Sequence, residues 1–349
     1  MSLQNHATLT PAVQTTTQHD GPLPDDLLDK LQVQVTAWDL PYHRQQDALY
    51  LSRGPADAVI RVTLGRLDAH VTAPDALTLH QAREIVITLF DCIMPDISAA
   101  LIWQSDAPKL HRPPNFHLAR LRGTEMISAN MLRVHMACDS VAALTTGGMH
   151  FSLLLPPDGR APVWPQINDS NRTIWPSGAD ALHRASYTFV TLDPAAGQFS
   201  FDIYLHAGGR AGDWAQNAQP GAVIGLTGPG SGDFPVTQDL LIAGDETALP
   251  AIRRILAQAS PTCRGRALIE VGDKAEITDL ARPAGVTLEW VLRQDGNGLW
   301  PALSRIDRLS PDTFVWIAAE QAMIRQAKAH FATLGLTRDR SYICYYWTR

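Results

Sequence analysis

Two hydrophobic rhythms follow one another in this chain, and together they leave few folds open. From His117 onward, short apolar segments succeed each other across turn residues: "NMLRVHMAC", "MHFSLLLP", "SYTFVTLD", "QFSFDIYLH" and "AVIGLTG". Several strands in succession predict a barrel or sandwich. From Asp239 the rhythm changes. "DLLIA", "RALIEVG", "TLEWVLR", "TFVWIAA" and "SYICYYW" are runs of the buried type, and helical stretches such as "TALPAIRRILAQA" and "AMIRQAKAHFATLG" lie between most of them. Such strand–helix alternation predicts a parallel sheet of the nucleotide-binding kind. The expected fold class is a β-barrel followed by an α/β parallel-sheet domain.

A smaller module precedes both. "LPDDLLDKL" carries a proline and two acids in its first turn, as a helix start does. "ADAVIRVTLGRLDAHVTA" alternates as a strand pair, and Leu79, Ala82, Ile85, Val86 and Leu89 recur at helical spacing. These features predict a small α+β module over 23–104, a linker over 105–116, the barrel over 117–236 and the α/β domain over 237–349. "PPDGRAPVWPQINDSNRTIWPSGAD" interrupts the strands as a loop of functional length. Residues 1–22 have no Lys or Arg and no apolar core, which predicts a disordered tail and neither a secretory signal nor a transit peptide. No run approaches the length of a membrane span. A net charge of −6 argues against nucleic acid or an anionic membrane as partner. Cys92, Cys138, Cys263 and Cys344 lie far apart, offer no zinc or iron–sulfur spacing, and predict a reduced, cytoplasmic chain with no protein-bound metal.

Three stretches carry chemistry. In "QFSFDIYLHAGGRAGDWA", Phe199, Phe201, Ile203 and Leu205 share one strand face, leaving Asp202, Tyr204 and His206 on the other, non-core face. The glycine-rich turn that follows leads into a helix whose free N–H groups suit a pyrophosphate, with Arg210 adding charge. "HRASYTFV" sets Arg184, Tyr187 and Thr188 at a strand start, so that an aromatic and a hydroxyl could meet a flat heterocycle. "GDETALP", from Gly244, puts two acids at a strand-to-helix turn, a place that ordinarily favours anions.

In their order these segments resemble the siderophore-interacting proteins, the ferric-siderophore reductase branch of the ferredoxin-reductase-like flavoproteins. "SYT" is similar to that family's Arg-x-Tyr-Ser/Thr flavin motif, "GRAGDWA" to its pyrophosphate loop and "PGAVIGLTGP" to the strand that follows. "IAGDETALPAI" is similar to its most recognisable segment, and "VWIAAEQAMIRQAKAHFATLGL" with "YYW" to its closing helix and aromatic end. The resemblance covers residues 117–349. It implies an FAD-binding barrel and an NAD(P)H-binding sheet domain. It further implies flavin contacts from Arg184, Tyr187, Thr188 and His206, with Thr188 as the catalytic hydroxyl. Gly209, Arg210, Ala211, Gly212 and Trp214 would meet the pyrophosphate. Gly244, Asp245, Glu246, Thr247 and Ala248 would meet the nicotinamide dinucleotide, and Glu320 and Trp347 complete the cofactor set. The sequence departs from the family pattern at three places. The motif's arginine position holds Ala185, with Arg184 one residue earlier; Gly212 replaces a serine; and "AAE", ending at Glu320, replaces "AGE". Arg184 or Arg210 is left to meet the pyrophosphate charge.

The activity so implied is flavin-dependent reduction of a ferric siderophore or other ferric chelate with electrons from NAD(P)H, releasing Fe(II). A flavin reconciles a two-electron donor with a one-electron acceptor, and no protein ligand to iron is needed. Other readings are a general flavin reductase with a different acceptor, and a non-enzymatic ferric-siderophore binding protein. The pyrophosphate-type loop favours FAD over FMN. An early stop after "YYW" favours NADPH. NADH stays possible because Glu270, near the end of the second sheet strand, would suit a ribose hydroxyl, whereas Lys274 would suit a 2′-phosphate. Arg293, ending "TLEWVLR", and Arg349, beside the terminal aromatics, are expected to draw in an anionic chelate.

Overall fold

A computed structural model describes residues 12–38, 40–106, 108–230, 234–294 and 298–348; Arg349 and residues 1–11 of the expected tail lie outside the described residues. The chain divides into two units, Met1–Phe116 with Pro162–Ala181, and His117–Ala161 with Leu182–Arg349.

The first unit runs β1 (Val13–Asp20), α1 (Leu27–Ala37), β2 (Tyr42–Gln45), β3 (Ala48–Arg53), β4 (Ala56–Thr63), β5 (Arg66–Ala73), α2 (Ala76–Ile93), α3 (Pro95–Ala100) and β6 (Gln104–Ser105). Its sheet is antiparallel, in the order β2-β3-β4-β5-β1-β6. Leu27, Leu31 and Val35 of α1 and Leu79, Val86, Leu89 and Phe90 of α2 bury against this sheet in one apolar cluster with Trp103. Asp75 caps α2 by accepting the Thr78 N–H, a favourable N-terminus. The expected tail is corrected by β1, which pairs with β5 from Val13 opposite Ala73 to Asp20 opposite Arg66. Thr15 and Thr17 are buried and donate to the carbonyls of Gln104 and Ile102 at 2.7 and 2.9 Å. Threonines supply the inward face here, so the strand lacks the apolar alternation that would announce it.

The second unit opens with a closed six-stranded barrel. It is built from β7 (Phe116–Met126), β8 (Met131–Ala137), β9 (His150–Leu155), β12 (His183–Asp193), β13 (Gln198–Tyr204) and β14 (Val223–Gly230), in the order β12-β13-β8-β7-β14-β9. Its interior is aromatic: Phe151 stacks on Phe189 at 4.4 Å between ring centres and meets Phe201 edge-on at 5.2 Å. β7 joins the five strands expected from the sequence; charged residues interleave its apolar ones. The long segment between β9 and β12 carries β10 (Gln166–Ile167) and β11 (Thr173–Ile174), a two-stranded hairpin that belongs to the first unit. There Arg172 donates to both Asp91 oxygens at 2.9 and 3.0 Å and to the Ser98 carbonyl at 2.7 Å, while Asn171 donates to the Trp103 carbonyl at 2.7 Å. This segment is a structural part of the first unit.

After α4 (Arg210–Asn217) and β14, the parallel sheet comprises β15 (Asp239–Gly244), β16 (Arg264–Val271), β17 (Gly285–Leu292), β18 (Thr313–Glu320) and β19 (Ser341–Trp347), with α5 (Leu249–Gln258), α6 (Leu299–Ser304) and α7 (Gln321–Thr333) among the connections. The order β17-β16-β15-β18-β19 places successive strands first on one side of β15 and then on the other. The crevice at the carboxyl ends of β15 and β18 is therefore the switch point, where ligands of such sheets bind. Gly244 closes β15 there. A Cβ on it would lie 2.5 Å from the Ala248 Cβ and 2.7 Å from the Ala318 carbonyl oxygen. The glycine is required by close packing of the turn on the sheet. Gly244→Ala is expected to overpack this junction and destabilise the protein by about 1–3 kcal/mol, read as a lower urea midpoint; an unchanged midpoint would show that the turn yields.

Candidate functional site

The two acids of the turn after β15 point in different directions. Asp245 accepts the Thr247 N–H at 3.0 Å, the Thr247 hydroxyl at 2.5 Å and the Trp347 indole N–H at 2.7 Å. Burial raises its pKa, and the Thr247 and Trp347 hydrogen bonds pull the other way. Glu246 accepts the Gly272 N–H at 2.7 Å and an Arg293 N–H at 2.5 Å. Arg293 donates its Nε–H to Glu270 at 2.5 Å, and the second Glu270 oxygen accepts the Leu299 N–H at 2.5 Å. Burial opposes the Arg293 charge, but the two carboxylates outweigh it and hold its pKa above the ordinary value. One guanidinium thus locks the β15 turn to the ends of β16 and β17, and both carboxylates sit close to the N-terminal end of a helix, where the backbone favours them.

The barrel contributes a different surface. α4 has Gly209 at its N-cap and no side chain capping its N–H groups, so the donors of its first turn have no intrahelical partner. Gly208 has a φ of 77° with open space where a Cβ would be, and a Cβ on Gly209 would meet the His206 ring at 3.0 Å. Arg210 and His183 lie near enough for the arginine charge to act on the histidine; burial is the larger cause lowering His183's pKa. Uncapped N–H groups, a helix N-terminus and a cation make a cradle that suits a diphosphate. Next along the barrel, Tyr187 and Thr188 point to opposite sides of β12. Tyr187 packs on Phe201 at 5.2 Å, and burial pushes its pKa up to about 12. Thr188 is buried, with its hydroxyl 3.0 Å from Nδ1 of His150.

Several expected site residues are engaged within the protein itself. Arg184 shares the strand face of Thr188, because alternate residues share a face; the face of Tyr187 carries Ala185 at the motif's arginine position. Glu320 caps α7, accepting the N–H groups of Ala322 and Met323. Trp347 is fixed to Asp245. Arg293, expected to meet substrate, is held by two carboxylates, and Glu270, expected to meet a ribose, has both oxygens engaged. Asp202 lies on the non-core face as expected, yet it is 4% exposed and binds Arg133 through two N–H groups at 2.8 and 3.0 Å. Arg253 of α5 lies near enough to this pair to feel both charges. Nearby, buried Glu276 accepts the Ser128 hydroxyl and, at 2.8 Å, the Asn130 N–H. His150, Glu276 and Tyr346 were not singled out from the sequence. Each lies in an apolar or ordinary polar run, and only tertiary pairing marks it.

A closed six-stranded barrel followed by a parallel sheet with its crevice at the switch point defines the class, a β-barrel joined to a nucleotide-type α/β sheet domain. Within that class the chain belongs to the siderophore-interacting proteins: residues 120–233 match the siderophore-interacting FAD-binding domain, and residues 237–349 match the siderophore-interacting protein family. It is 29% identical to an NADPH-dependent ferric-chelate reductase of Escherichia coli over 64% of this chain and 89% of that one. It is 27% identical to a ferric vibriobactin reductase of Vibrio cholerae over 64% and 86% of the two chains. The structure of a siderophore utilization protein from T. fusca superposes with a TM-score of 0.59 at 27% identity, covering 69% of this chain and 96% of that one.

Arg293→Ala should leave Glu246 buried beside Glu270 without its cation. The expected loss is about 3 kcal/mol, the lower end for a broken buried pair, because the arginine is partly exposed. Arg293→Lys should recover little, since an ammonium lacks the fork that spans two carboxylates. Urea unfolding of both variants tests this, and equal stability of the lysine variant and wild type would refute it.

Proposed function

We propose that this protein reduces ferric siderophores or other ferric chelates with electrons from NADPH through bound FAD, releasing Fe(II). The observation that carries this reading is the pairing of two sites in one unit: the uncapped α4 cradle near the start of the strand that bears Tyr187 and Thr188, and the switch-point strand ends around Gly244–Ala248. When bound, FAD supplies two-electron uptake and single-electron delivery. The N–H groups of Arg210, Ala211 and Gly212 and the Arg210 guanidinium would hold its diphosphate, which is the reason for preferring FAD to FMN. Tyr187 and Thr188 would border its ring system, and Thr247 and the turn backbone would hold the nicotinamide dinucleotide. The ferric chelate is substrate, so its iron stays with its own oxygen ligands and needs none from the protein. The names borne by the Escherichia coli and Vibrio cholerae relatives support this activity.

Preference for NADPH has its own support. Both Glu270 oxygens already accept a hydrogen bond, from Arg293 and Leu299, so a ribose hydroxyl would have to share an acceptor there. Lys274 stands exposed just beyond β16, with no carboxylate partner among the described residues. NADPH supply points to the cytoplasm as the place of work.

Anaerobic titration is the test. The purified protein should be yellow and release FAD on extraction, NADPH should bleach it, and a ferric chelate should restore the colour while a ferrous indicator develops. Release of FMN, or bleaching without chelate-driven recovery, would overturn the reading. Lys274→Ala should raise KM for NADPH several-fold, on the order of 1 kcal/mol for one exposed charge, and leave KM for NADH unchanged. Parallel changes with both donors would remove Lys274 from phosphate recognition.

A further inference from the structure

His150 stands half-buried on β9 between two hydroxyls. Its Nδ1 lies 3.0 Å from Thr188 Oγ1, and its Nε2 lies 2.9 Å from the Tyr346 hydroxyl. The Tyr346 ring stands edge-on to the imidazole at 5.3 Å. Burial first, and the nearby Arg254 charge second, bring the His150 pKa down to about 4. At physiological pH the ring is therefore neutral and carries a single N–H. A neutral imidazole donates at one nitrogen and accepts at the other, so the two hydroxyls are not independent.

Two arrangements satisfy the chain of groups. When Tyr346 donates to Nε2, the Nδ1–H donates to Thr188, and the Thr188 proton points away from the histidine. When the Tyr346 proton points away from the histidine, the Nε2–H donates to Tyr346. Thr188 must then donate to Nδ1 and keeps only lone pairs for another partner. Thr188 has no other partner among the described residues, so one hydroxyl valence is left for a bound group.

We propose that Tyr346, acting through His150, is a positioning residue that sets whether Thr188 offers a proton or a lone pair to the ring system of the bound flavin. This rests on the reading above that Thr188 borders the flavin. A hydroxyl wired in this way meets an unprotonated ring nitrogen as donor and a protonated one as acceptor. The change needs only a shift of protons along Tyr346, His150 and Thr188, and places no net charge in a buried site, where charge is costly.

Tyr346→Phe removes the phenol and keeps the ring packing. The expected result is FAD bound at wild-type stoichiometry, an altered visible flavin spectrum, and a tenfold change in the balance of oxidised and reduced flavin, about 30 mV for a two-electron couple. His150→Phe should shift the potential likewise. His150→Gln, which keeps one donor and one acceptor, should stay near wild type. Normal flavin uptake with an unshifted spectrum and potential in Tyr346→Phe would overturn the proposal alone, leaving the contact as a tie between barrel and sheet. A wild-type protein that takes up no flavin would overturn the functional reading and the proposal with it.

Discussion

The crevice of the sheet domain depends on one guanidinium shared by two carboxylates, one buried and one half-buried. Arg293 reaches Glu246 in the turn after β15 and Glu270 near the end of β16. Desolvating two acids for one cation would be unfavourable alone. The deficit is met by backbone: Gly272 donates to Glu246, and Leu299 donates to Glu270. Every acid in this region is thus answered from within the protein. The turn is thereby electrostatically settled, its carboxylates engaged by Arg293 and by backbone N–H groups.

The same logic joins the barrel to the sheet domain. Glu276 takes two donors from the turn between β7 and β8, Arg254 donates to the Phe189 carbonyl at 2.8 Å, and His150 meets Tyr346. These are polar links with defined direction, unlike the sliding contacts of an apolar interface. They hold the α4 cradle and the β15 turn in a fixed relation, which suits transfer between two bound groups, where small displacements are costly.

Much of this was legible in the sequence. Period-two runs without long helices gave away the barrel, and buried runs alternating with helices gave away the parallel sheet, because both signals come from burial. The glycine turn at 208–209 and the "GDETALP" turn were visible as punctuation with chemistry attached. What escaped was pairing. Nothing local in "TLEWVLR" says that its arginine faces two acids, and nothing in "MHFSLLL" distinguishes His150 from a strand-edge histidine. β1 escaped for another reason: its inward residues are threonines that satisfy themselves on neighbouring carbonyls, so a buried strand presents a polar face to any hydrophobicity count.

The hairpin over residues 162–181 ties the history of the two units together. The backbone crosses between them after residue 116, again after 161 and again after 181. End-to-end joining by itself does not give this weave, since a piece of the front unit is encoded inside the barrel. A descendant that shed residues 1–116 would still carry Arg172, now without Asp91 and the Ser98 carbonyl to receive its guanidinium. Loss of the front unit therefore requires remodelling of the β9–β12 connection as well, and the two segments should be gained and lost as a pair.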